Sequence, residues 1–151
     1  MSATPQPPSP APNADITFAI GGFAGNPAIE ALRGQVPDIF AQVGGYYDAV
    51  IAPAPEAENG FSLPERALVA QRTAGRIPSP ILDSWYGSVL AERGGIPREA
   101  RETPRMQAML ARVALVNEHP DYTTEEDVQD LFDAGLTHGE VIALSQLIAF
   151  V

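Results

Sequence analysis

The chain has 151 residues, none of them cysteine or lysine, and only two histidines and one tryptophan. Without cysteine there is no disulfide, no thiolate metal site and no thiol nucleophile, so dithiol redox chemistry is excluded outright. Cysteine usage therefore says nothing about the redox compartment. Without lysine, arginine supplies all nine bases against nineteen acids, for a formal net charge of −10. Such a charge repels phosphate backbones and anionic lipid, so neither nucleic acid nor a membrane surface is an expected partner. No apolar run approaches the ~18 residues that a membrane helix needs. The first residues also lack the basic and apolar regions of a secretory signal. The expected location is the cytoplasm.

Hydrophobic residues make up 45% of the chain and its mean hydropathy is −0.03, which suits one folded domain. Residues 1–14, MSATPQPPSPAPNA, are dominated by proline and carry no periodic apolar face. They read as a disordered or polyproline-II leader, with a PxxP-type ligand as the alternative. Residues 15–151 form the expected domain. At its start Asp15 to Asn26, DITFAIGGFAGN, looks like a strand running into a glycine turn. Gly21, Gly22 and Gly25 fit neither GxGxxG nor a phosphate loop ending in Gly-Lys, and no further strands follow to build a parallel sheet. The alternative is a short helical or extended arm laid across a helical bundle.

Downstream, every strong start signal is a helix cap. Asn26-Pro27 opens a segment ending near Gly34. From Pro37 to Ile51, Ile39, Phe40, Val43, Tyr47, Val50 and Ile51 recur at helical steps, with Gly44-Gly45 predicting a kink or a tight contact. Thr103-Pro104 starts a stripe of Met106, Met109, Leu110, Val113 and Val116, where methionine suits adaptable core filling. After His119-Pro120, Thr123 with Glu126 and then Thr137 with Glu140 have capping-box spacing, and Gly135 stops the helix between them. The expectation over 27–151 is six or seven helices.

The stretch from Ser62 to Arg93, SLPERALVAQRTAGRIPSPILDSWYGSVLAER, is the expected centre. Ser62 with Glu65 predicts a helix from about Leu63, whose Leu63, Ala67, Ala70, Ala74 and Ile77 form a stripe of mostly small side chains that lets another helix lie close. Pro78 and Pro80 end it, and Ser79 caps a second helix from Pro80 to Arg93.

Together with DVQDLFDAGLTHGEVIALSQLIAFV near the C-terminus, this pattern resembles the alkylhydroperoxidase D-like, or carboxymuconolactone decarboxylase-like, superfamily, over roughly residues 62–93 and 123–151. The resemblance implies a compact all-α bundle and membership of a cysteine-free branch. Peroxidase members carry a glutamate and, one spacer later, Cys-x-x-Cys-x-x-x-His. Laid on this chain, the thiol positions fall on Ser79 and Leu82, the histidine on Tyr86 and the glutamate on Ala67. Shifting by two, so that Glu65 takes the glutamate position, puts Ile77, Pro80 and Ser84 under the rest. In relatives the last helix runs one or two turns further, so an end at Val151 suggests a truncated last helix.

The resemblance implies a non-catalytic oligomerisation or interaction module that pairs with itself or with a cysteine-bearing alkylhydroperoxidase-like domain. The alternative is a thiol-independent acid–base enzyme or small-molecule binder of the decarboxylase or isomerase kind. Its pocket would be lined by Ser79, Leu82, Trp85 and Tyr86, with Glu65 moving a proton and Tyr86 donating to a carbonyl or carboxylate. Core packing is the competing role for Trp85 and Tyr86. No cofactor is expected. His119 and His138, with Glu118, Asp121 and Glu140 nearby, lack metal-site spacing, and Glu125, Glu126, Asp127, Asp130 and Asp133 lack that of a calcium loop. No serine sits in a G-x-S-x-G elbow.

Overall fold

Proline and cap chemistry determine where the helices begin. The computed structural model describes residues 16–23, 25–54 and 57–151, and every regular element within them is helical. Helices α1 (Ile16–Gly21), α2 (Pro27–Arg33) and α3 (Pro37–Ile51) lead into the hairpin of α4 (Leu63–Ala74) and α5 (Pro80–Glu92). A single turn, α6 (Arg98–Arg101), precedes α7 (Pro104–Glu118), and after a 3-10 turn at Pro120–Tyr122 come α8 (Glu125–Asp133) and α9 (His138–Phe150). Proline sits in the first turn of α2, α3, α4, α5 and α7, where an N–H has no intrahelical partner to lose. The Asn26, Ser79 and Thr103 side chains accept from the first backbone N–H groups of α2, α5 and α7. The leader at 1–14 lies outside the described residues.

Four expectations need correcting. The strand or extended arm from Asp15 is helix α1 over its described part, because Ile16, Ala19 and Ile20 recur at steps of three and one and pack against the core. The capping box at α8 belongs to Thr124 and Asp127, not Thr123 and Glu126. The 3-10 turn leaves Thr123 extended, and the Thr124 N–H and hydroxyl each donate to Asp127 Oδ2 at 2.7 Å. Eight helices occupy residues 27–151 among those described, not six or seven, since the one-turn α6 and the short α2 both form. Ile39, placed on the inward stripe of α3, is 55% exposed; α3 continues as one helix through Gly44-Gly45, and Gly44 is buried, in keeping with the tight contact expected there.

The hairpin is central. Helix α4 packs against α3, α5, α7 and α9. Its Ala67, Leu68, Val69, Ala70 and Ala74 are fully buried, so the small-residue stripe is one side of a helix enclosed nearly all round. Trp85, Tyr86 and Val89 of α5, Met106, Met109 and Val113 of α7, and Leu144, Leu147 and Ile148 of α9 close the core. Gly135 takes φ 91°, and the Leu136 N–H reaches back to the Leu131 carbonyl at 3.0 Å, a Schellman stop that turns the chain from α8 into α9. No helix among the described residues is long and apolar enough to cross a membrane.

Candidate functional site

The charged side chains gather where three helices begin. In the Ser62–Glu65 box, Glu65 Oε2 accepts from the Ser62 N–H and hydroxyl, each at 2.9 Å. In the Thr137–Glu140 box, Glu140 Oε2 accepts from the Thr137 N–H at 2.7 Å and its hydroxyl at 2.8 Å. Each glutamate turns its other oxygen to the same cation. Arg105, in the first turn of α7, donates from Nε to Glu65 Oε1 at 3.1 Å and from Nη2 to Glu140 Oε1 at 2.7 Å. Nη2 also donates to the Gly60 carbonyl at 3.2 Å. One guanidinium thus ties together the N-termini of α4, α7 and α9. Gly60 must lack a side chain here: its φ is +80° and a Cβ would stand 2.7 Å from Glu140 Oε1.

Burial alone would raise the Glu140 carboxyl, but hydrogen bonds from Arg105 and Thr137 outweigh it and hold the group below the usual carboxylate value. Burial likewise opposes the charge on Arg105, and its bonds to Glu140 and Glu65 reverse that effect. A general base poised near neutrality needs the opposite tuning. The arrangement is chemically a clamp.

A second arginine, Arg66, is 3% exposed and makes no ion pair among the described residues. It donates from Nε to the Phe61 carbonyl at 2.8 Å, from Nη1 to the Val50 carbonyl at 2.8 Å and from Nη2 to the Glu58 carbonyl at 3.1 Å. Those carbonyls lie at the end of α3 and in the loop before α4, so Arg66 closes that loop from inside. Its guanidinium carbon lies 4.6 Å from the centre of the Phe61 ring.

The four residues expected to line a pocket differ in exposure and partners. Ser79 caps α5, accepting from the Leu82 N–H at 3.5 Å. It borders a shallow cleft of about 420 Å³ lined also by Gly75, Ile77, Pro78, Pro80 and Asp83, without Leu82, Trp85 or Tyr86. Leu82 is half-buried against the core. Trp85 and Tyr86 are 5% and 2% exposed, within the core cluster. Burial drives the Tyr86 hydroxyl well above the ordinary phenol value, and neighbouring Tyr47 adds to the effect. The Tyr47 hydroxyl is raised by its own burial, only partly opposed by the nearby indole N–H of Trp85. That N–H approaches Tyr47 without closing a hydrogen bond of good geometry.

His119 and His138 are exposed, with rings against Tyr122 at 5.8 Å and Phe132 at 4.5 Å between centroids. The acidic run Glu125-Glu126-Asp127 forms the first turn of α8, where negative charge opposes the helix dipole. Sequence reasoning missed Arg66 and Arg105. The signal for Arg66 was present as a lone charge entering the run Ala67-Leu68-Val69-Ala70. For Arg105 the only hint was the recurrence of capping-box glutamates with an oxygen to spare. Comparisons with protein-family models, with curated proteins and with solved structures find no match to this chain.

Proposed function

We propose that this chain is a thiol-free helical module of the alkylhydroperoxidase D-like kind that works by associating with a second copy of itself. The kinship rests on the capped α4–α5 hairpin and on the α8–Gly135–α9 turn. The observation that carries the functional reading is the state of α2, which buries none of its seven residues. Among the described residues, five of the eight exposed large apolar side chains, Phe23, Leu32, Val36, Ile39 and Tyr46, fall in the stretch 23–46 that holds α2 and the first two-thirds of α3. Exposed apolar side chains gathered in one region mark an interaction surface rather than the usual scatter.

A second copy suits this face on charge. Residues 23–46 carry only Glu30, Arg33 and Asp38 as charged groups, so two chains of net charge −10 meet there with the least repulsion. Helix α9, apolar nearly all round, turns Leu144, Leu147 and Ile148 into the chain and leaves Ile142 59% exposed. Its contribution to the face is the Phe150 ring, 5.2 Å from that of Tyr46.

An acid–base enzyme is less well supported, because Glu65 is engaged through both oxygens and Tyr86 holds its proton firmly. Sedimentation velocity tests the proposal. The expected result is a dimer or larger assembly at micromolar concentration that becomes monomeric, with unchanged helical circular dichroism, when Leu32→Glu and Ile39→Glu are combined. A monodisperse monomer of the unmodified chain overturns it. Hydroperoxide reduction with any dithiol donor is expected to be absent, and robust turnover would require chemistry outside these residues.

A further inference from the structure

Glycine in the interior of an exposed helix weakens it relative to alanine, because it gives up more backbone freedom on folding and packs no side chain. Helix α3 carries two in succession. Gly44 is buried, so the chain itself uses the missing side chain. Gly45 is exposed, and apart from its chain neighbours and its own helix no atom lies within 4 Å of where a Cβ would stand. It takes no left-handed φ either. Among the described residues, then, neither space nor backbone conformation calls for glycine at this position. Gly87 of α5 and Gly139 of α9 are equally open. Only Gly45 lies within the stretch 23–46 that holds most of the exposed large apolar side chains, next to Tyr46 at 42% exposure.

A contact with a second copy gives the glycine a use. Two helices approach as closely as the side chains at their crossing allow, down to about 8 Å between axes where those are small. Orientation follows from charge. The charged residues of α3 are Asp38 and Asp48. A parallel pair of α3 helices would set each aspartate beside its own counterpart, where like charges repel. An antiparallel pair crossing at Gly45 separates the two Asp38 residues by about 20 Å and the two Asp48 residues by about 9 Å along the axis. We infer that two copies of this chain meet at an antiparallel crossing of their α3 helices, with Gly45 at the point of closest approach and Tyr46 beside it. The inference rests on the self-association proposed above and locates its two-fold axis.

Variants at Gly45 test it, because fold stability and association should move in opposite directions. Gly45→Ala should raise the urea midpoint, read by circular dichroism at a concentration where the chain is monomeric. Sedimentation velocity should show the same variant associating about tenfold more weakly, the scale of one overpacked methyl group. Gly45→Leu should be a folded monomer at micromolar concentration. Nitroxide labels on Asp38→Cys, the only thiol in that variant, should lie about 20–30 Å apart between copies, against less than about 15 Å for a parallel pair. A Gly45→Leu chain that still dimerises, while Leu32→Glu with Ile39→Glu does not, overturns the crossing and leaves self-association standing. A short label distance, or a midpoint lowered by Gly45→Ala because the chain itself fills the space, also overturns it. A monomeric unmodified chain ends both readings.

Discussion

Helices α2 and α4 begin alike, with a polar cap and proline in the first turn, yet α4 buries seven of its twelve residues and α2 buries none. The difference extends to how each is attached. Around α4, arginines meet backbone carbonyls and carboxylates in the interior. Arg33 of α2 lies over the Phe18 ring of α1 at 4.3 Å and the Phe40 ring of α3 at 3.9 Å, contacts worth roughly 0.5–1 kcal/mol each where exposed. A good local start makes a helix, but only burial makes it part of the body. A helix that is formed and unburied is available to a partner.

The contrast is most sharply tested at Arg66. Arg66→Met strands the carbonyls of Val50, Glu58 and Phe61, and should lower unfolding stability by about 3–5 kcal/mol, the scale of removing a buried charge with several bonds. Arg66→Lys should rescue little, since one ammonium cannot span three carbonyls held in a fork. Urea denaturation followed by circular dichroism reads both. A midpoint unchanged by either variant would show that the body does not depend on this closure.

Arg105→Gln comes next, at about 2–3 kcal/mol, less than for a fully buried pair because the Arg105 and Glu65 side chains are 25% and 19% exposed. Combining it with Glu140→Gln should recover part of the loss, because the stranded carboxylate is then neutral. Strict additivity of the two losses would separate Arg105 from Glu140.

Titration supplies a smaller effect at each end of the pH scale. The Glu140 carboxyl lies below its ordinary value in the folded chain, so its contribution is present above about pH 4.3, the unfolded value, and is lost as pH falls through the lower folded one. Glu140→Gln should flatten that acid limb. The Tyr47 and Tyr86 hydroxyls are raised, so their contribution is present below about pH 10, the unfolded phenol value, and declines as pH climbs toward the folded ones. Tyr86→Phe should flatten the alkaline limb, and stability curves against pH decide both.

The smallest effect on folding belongs to α2. Leu32→Glu should change the stability of the monomer by no more than about 0.5 kcal/mol, as for surface sites generally, while weakening self-association. A large loss in dilute solution would place Leu32 in the monomer's own packing and dissolve the contrast.

Most helix boundaries were legible from residues close in sequence. Ser62 with Glu65, Thr137 with Glu140, Thr103-Pro104 and Gly135 each act within one turn, through bonds between groups that the chain already holds together. The same locality explains the slip at α8. Thr123 and Thr124 each have an acid three residues on, and the 3-10 turn at Pro120–Tyr122 chose between them. Periodicity likewise placed Met106, Met109 and Val113 inside, but it could not tell Ile39 from Val43 on α3, because which side of a helix is covered depends on its neighbours.

What only the tertiary structure decided is where the charges go. Arg105 reaches Glu65, Glu140 and Gly60 across 40, 35 and 45 residues, and Arg66 reaches Val50 across 16. No spacing rule spans such separations, because those groups become neighbours only after the apolar faces of α4, α7 and α9 have packed. The 2% exposure of Tyr86, for which the residues alone offered both core packing and a pocket role, was decided for the same reason: exposure is a property of the assembled bundle, while helix, cap and stop are properties of the chain.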